Sequence, residues 1–243
     1  MTFNRAVACL AVMLLSVVFV QAQEQMPESP WVISFTAGLS FNSGNTESSQ
    51  LNGGFRVVRK EYPVDLAFTG DMLYGQSSGV RNADRGKLTF NYDRYILLGW
   101  EAFFIGSAEY DRIAHIDSRN GLGAGVKREF IKSKRGEISI SGAVLSELEK
   151  DTNGVETQSE RLSIRPKVKI HVSETADLNI VAFYIPNINN ADDYRTEATL
   201  EFKTMISRNL WFKCMVYDRF DSVVDAGVKN NDLTLISAVE SKF

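Results

Sequence analysis

The chain has 243 residues, 44% of them hydrophobic and 23% charged, with a formal net charge of −3. Near-balanced charge gives no basis for nucleic-acid binding. Mean hydropathy is slightly negative, and no apolar run is long enough for a bilayer-spanning helix, which takes about 20 residues, so a helical membrane protein is excluded.

Asn4 and Arg5 precede an apolar run from Ala6 to Val20, followed by small residues and a polar stretch from Gln23. This pattern predicts a secretory signal peptide over residues 1–22, with cleavage after Ala22. Removing it takes away Arg5 and no acid, so the net charge moves from −3 to −4. Cys9 precedes most of the apolar run, which argues against lipid acylation. Cys214 is then the one remaining thiol, so no internal disulfide can form. Residues 23–30 read as a short periplasmic linker.

From Trp31 onward one arrangement recurs, a strand and then a break. Trp31–Phe41 alternates Trp31, Ile33, Phe35, Ala37, Leu39 and Phe41 against smaller or polar residues. Strands follow at Gln50–Lys60 and Val64–Tyr74, then a polar loop is expected over Gly75–Asp84. Lys87–Leu97, Trp100–Asp111, Arg119–Phe130 and Glu137–Leu148 come next, with Phe103 and Ile105 blurring the period of two. A loop is expected through His115 and another over Glu149–Gln158. The next strand has the cleanest alternation, with Leu162, Ile164, Pro166, Val168 and Ile170 opposing Arg161, Ser163, Arg165, Lys167, Lys169 and His171. Pro166 lacks the amide that a ladder needs, so a bulge is expected there. Leu178–Ile185, Tyr194–Ile206, Leu210–Phe220 and Asn231–Phe243 complete the set.

About twelve strands joined by alternately long and short connections predict a closed, up-and-down antiparallel transmembrane β-barrel over residues 31–243. Lipid demands that closure, because an unpaired backbone amide there costs several kcal/mol, on the order of a full desolvation penalty. Trp31, Tyr74, Tyr92, Trp100, Tyr110, Tyr184, Tyr194 and Phe220 fall near strand ends, as interfacial girdles do. The apolar parity should face outer-membrane lipid and the polar parity the lumen. Candidate lumen residues are Asp93, Glu101, Glu109, Asp111, Arg161, Arg165, Lys167 and Lys169. Such residues serve either a narrow channel that orients a small polar solute or a lattice of ion pairs that fills the interior. Gly121, Gly123 and Gly125 share the inward parity, leaving room for long side chains opposite or for curvature.

Catalytic chemistry has one candidate, His115 with Asp117 and Ser118, as in a lipid-modifying barrel enzyme. In an extended segment His115 and Ser118 point opposite ways, so His115 reads as a loop residue. His171 reads as a solvated residue at a turn. The two histidines and Cys214 make no metal set, and no cofactor motif is present, so neither enzyme nor cofactor is expected.

Several segments together carry a family resemblance: Ser43-Gly44-Asn45-Thr46, Tyr92-Asp93-Arg94, Ile116-Asp117-Ser118-Arg119 running into Gly121–Gly125, and Tyr217-Asp218 through Asn231-Asp232 to Phe243. The chain resembles the domain-of-unknown-function 481 family, described as salt-induced outer-membrane proteins. The resemblance implies an outer-membrane barrel of unsettled biochemical role and supplies no catalytic residues. Ending on Phe243 likewise resembles outer-membrane proteins, whose terminal aromatic strand is read by the barrel-insertion machinery. A soluble secreted β-barrel that binds a ligand inside stays open as an alternative.

Overall fold

The computed structural model describes residues 29–42, 48–77 and 79–243. The expected signal peptide, most of the linker and the Ser43–Thr46 motif lie outside them. Residues Trp31–Phe243 form one compact unit. Twelve strands run in order: β1 Trp31–Asn42, β2 Ser48–Glu61, β3 Val64–Ser77, β4 Val80–Leu97, β5 Trp100–Asp111, β6 Ile116–Ser133, β7 Gly136–Asp151, β8 Glu156–Ser173, β9 Ala176–Pro186, β10 Tyr194–Ser207, β11 Leu210–Asp221 and β12 Asn231–Lys242. Each pairs antiparallel with its chain neighbours, and β1 pairs β12, so the sheet closes into a barrel. The closing seam runs from Ser34↔Lys242 to Leu39↔Ser237. Reciprocal backbone bonds between Ile33 and Phe243 (3.1 and 2.8 Å) extend it.

The period of two decides which side chains look in. Phe35, Leu51, Phe68, Leu88, Phe104, Leu122, Val144, Leu162, Ile180, Leu200 and Leu235 are exposed on the outside. Glu101, Asp111, Arg119, Arg161, Arg195 and Glu240 are buried inside. No large side chain among the described residues is fully buried, because the wall is one sheet thick and has no second layer to pack against. Apolar outside and charged inside is the distribution that a hydrocarbon surround demands and water does not. Trp31, Tyr74, Trp100, Tyr110 and Tyr184 are exposed near the two rims, and Tyr194 bridges Tyr184 (5.8 Å) and Phe220 (5.7 Å).

At one end, the turn end, residues 62–63, 98–99, 134–135, 174–175 and 208–209 make connections of two residues each. The other, the loop end, is less regular than the sequence leads one to expect. Gly75–Asp84 is not a loop: β3 and β4 run on through it and only residues 78–79 join them. Glu149–Gln158 is largely strand as well, leaving residues 152–155 between β7 and β8. Strands β4, β6 and β8 have 18 residues each, whereas crossing the hydrocarbon takes about 9–11. Beyond the apolar belt both faces of a strand meet water, so alternation fades and the protruding segment reads as polar loop. The longer connections of this end are 187–193 and 222–230.

Pro166 causes no bulge. Its pairing to Ile140 on β7 is regular, and β8 keeps one register with β9 on either side, Ile164↔Tyr184 and Lys167↔Val181. The ladder to β9 omits Arg165 and Pro166, so the missing amide is absorbed as a local gap. Register shifts occur instead near strand ends, as at Glu109/Asp111 and Met205/Ser207. His171 is also not a free turn residue. It lies in β8 opposite Asp177 of β9, with Nδ1 2.6 Å from Oδ1.

Candidate functional site

Cross-strand registry builds the charged interior. Lys87 stands opposite Glu109, Glu109 opposite Arg119, and Arg119 opposite Glu149, one row across β4 to β7. The side chains join along that row. Lys87 Nζ lies 3.0 Å from Glu109 Oε2, Arg119 Nη1 donates to Glu109 at 2.9 Å, and Arg119 Nε donates to Glu149 at 2.6 Å. Beside it Arg161 and Arg195 share Glu147, and Arg161 also donates to both carboxylate oxygens of Asp193 at 2.9 Å. Arg219 meets Asp111 at 3.2 Å, while Asp111 accepts the backbone N–H groups of Ile113 and Ala114 and so ties down the β5–β6 loop. This lattice occupies the half of the lumen nearer the loop end.

A second set lies toward the turn end. Lys127 Nζ is 2.7 Å from Glu101, Lys213 sits 2.9 Å from Glu201 and 3.3 Å from Glu240, and Lys203 joins Glu240. Lys169 and His171 share Asp177. Pairing of this kind relieves the cost of holding charges away from bulk water.

Between the two sets is a cavity of about 480 Å³. Seven Lys and Arg side chains line it against four carboxylates, Asp71, Glu109, Glu147 and Glu197. Its wall is also apolar, with Leu73, Ile105, Leu145, Ile185, Met215 and Ile236 among the lining residues. Phe103 and Ile105, which blur the alternation of β5, are part of this lining. Two inward glycines on β6, Gly123 and Gly125, make space for them. A Cβ on Gly123 would stand 2.3 Å from Leu145 Cδ2 and 3.3 Å from Ile105 Cγ2, and one on Gly125 would stand 2.7 Å from Phe103 Cζ.

Of the eight charged residues singled out in the sequence, Glu109 and Arg165 line the cavity. Glu101, Asp111, Arg161 and Lys169 are held in the ion pairs above. Asp93 is half-buried on β4 and Lys167 is exposed on β8. Arg165 differs from the lumen arginines held in those ion pairs. Its Nε donates to Ser141 Oγ at 3.0 Å, and its guanidinium lies over the rings of Phe183 (5.7 Å) and Phe103 (6.0 Å). No carboxylate among the described residues lies within 4.0 Å of it. Arg85 is similar, laid over Tyr217 at 5.2 Å.

Sequence reasoning missed Arg85, Arg119, Arg195, Lys213 and Arg219 as lumen residues, although each shares its strand's inward parity. His115, Asp117 and Ser118 are not brought together. His115 adopts φ 60° in the β5–β6 loop with Nδ1 3.2 Å from Asp225, whereas Asp117 pairs with Arg112 at 3.1 Å. Among the described residues no group of three His, Cys, Asp or Glu is placed to hold a metal ion.

The family described as "Protein of unknown function, DUF481" matches residues 35–243. No curated protein matches the chain. Among solved structures, the COG4313 outer membrane channel from Pseudomonas putida F1 aligns with TM-score 0.56 at 9% identity, covering 92% of this chain and 98% of that one. The NanC porin aligns with TM-score 0.53 at 10% identity, covering 86% and 98%. At such identities the likeness is one of fold.

Proposed function

Since the chain belongs to the DUF481 family, whose function is unknown, we propose its role from the geometry: it is an outer-membrane channel for a small polar solute. In this reading the signal peptide directs export and is cut near Ala22. The insertion machinery reads the terminal strand with Phe243, and the barrel sits in lipid with its turn end in the periplasm. The observation that carries the reading is the roughly 480 Å³ chamber enclosed by the barrel wall and lined with charged side chains. An interior meant only to be filled would close that volume with further side chains. Two structural neighbours bear channel or porin names, which suits the reading and does not decide it. Purified, refolded protein in a planar bilayer should give discrete current steps. No current at any voltage would refute the channel.

The second reading is a structural barrel of the salt-stressed envelope. The ion-pair lattice around Arg119 and Glu147 favours it, since half-buried pairs are screened less by salt than surface ones. The same bilayer recording separates the two.

A further inference from the structure

We propose that the chamber binds a small monocarboxylate with a flat apolar body, its carboxylate seated on the Arg165 guanidinium. The proposal rests on the channel reading and names the solute class for it.

Arg119, Arg161, Arg195 and Arg219 each already meet a carboxylate. Arg165 does not, although it lines the chamber. Its Nε is spent on Ser141, and the rings of Phe183 and Phe103 lie 5.7 and 6.0 Å from the group. Both Nη nitrogens are left without a hydrogen-bond partner among the described residues. A guanidinium anchored at Nε with both Nη nitrogens unused matches the two oxygens of a carboxylate, and the anchor reduces the rotamer freedom to be lost on binding.

The rest of the chamber fits what such an anion would carry. Phe183, Ile105, Leu145 and Met215 offer apolar wall around the same space, so an aromatic or compact hydrocarbon body gains there what a hydrated inorganic anion cannot. Of the seven lining cations, Lys87, Arg119, Arg195, Lys213 and Arg219 are already paired with carboxylates, which leaves Arg165 and Arg85 to meet an incoming anion. Asp71 and Glu197, which also line the chamber without an ion-pair partner, oppose a second negative charge and favour one carboxylate over two.

The test uses the full barrel folded in detergent, with titration calorimetry against benzoate, benzamide and acetate. Benzamide keeps the shape without the charge, and acetate keeps the charge without the body. Benzoate should bind saturably and about tenfold or more tighter than either, the discrimination expected of one charge-assisted forked contact. Arg165→Gln should bring benzoate down to the benzamide level. Phe183→Leu, which keeps the volume apolar, should weaken benzoate without equalising it to acetate. Each variant is scored for folding by the gel shift of its unboiled form, and Arg85→Gln serves as a second lumen variant that leaves Arg165 in place. Equal affinity for benzoate and benzamide, an unchanged Arg165→Gln variant, or no saturable binding overturns the proposal. Pores that conduct but bind no benzoate sink this site and leave the channel standing. Benzoate binding with no current supports the site and removes the channel.

Discussion

Adding one methyl group at Gly125 should damage the barrel, and adding one at Gly142 should not. The two positions lie on neighbouring strands, with Val126↔Gly142 and Gly125↔Ala143 opposite one another. A Cβ on Gly125 would stand 2.2 Å from the carbonyl oxygen of Gly142 and 2.8 Å from Cα of Ala143. Both are backbone atoms of β7, so relief requires a strand to move rather than a rotamer to turn. The third neighbour, Phe103 Cζ at 2.7 Å, is a lumen ring that contacts Arg165. Overpacking of this kind costs about 1–3 kcal/mol, and the rigid partners place Gly125→Ala at the upper part of that range. On Gly142 a Cβ meets nothing within 4 Å. There the substitution only restricts the unfolded chain, worth about 0.4–1 kcal/mol in favour of folding. The two variants should therefore differ by roughly 2–4 kcal/mol, with opposite signs relative to the parent. Urea unfolding in detergent micelles, followed by tryptophan fluorescence, measures the difference. Equal midpoints for the two variants would refute the close β6–β7 approach, and with it the account of why these lumen positions are glycine.

Arg119→Met strands Glu149 and leaves Glu109 with Lys87 alone, so unfolding should become easier by about 2–4 kcal/mol, short of the full cost for a dry buried pair. The same variant opens the lattice and should raise single-channel conductance; unchanged conductance would place the constriction elsewhere. His115→Ala removes one exposed inter-loop contact, so stability should stay within about 0.5 kcal/mol of the parent. Envelope lipid composition should also be unaltered, and a changed lipid profile would revive the enzyme reading. Phe243→Ala keeps the backbone bonds to Ile33 and should give a folded barrel in vitro but a lower yield in outer-membrane fractions. Equal yield would show that the terminal ring is not read during assembly.

The architecture was legible because a half-buried wall writes its period into the residues. β5 was placed at both ends, Trp100 and Asp111, where apolar belt and strand coincide. Alternation marks β4 only from Lys87, although the strand begins at Val80, since the segment before it stands clear of the belt and nothing enforces alternation there. Inward parity was likewise readable, but partners were not. That Glu109 lies between Lys87 and Arg119 depends on the register of three strands, and bulges such as Glu109/Asp111 shift that register by amounts no single strand records. Phe103 and Ile105 break the alternation of β5 because the lumen they face is not polar throughout. They are the signature of the chamber, and the pairing of apolar residues on both parities of one strand was the available clue.

The seam between β1 and β12 ties together segments roughly two hundred residues apart, whereas the two-residue turns join their strands almost at once. Hairpins can thus zip sequentially around the wall, and the ring becomes complete only when its two outermost ribbons meet. Until then the growing curtain carries two bare selvedges, each a template for any stray chain. Any state short of closure therefore needs both margins shielded at once, or it pairs with a stray chain.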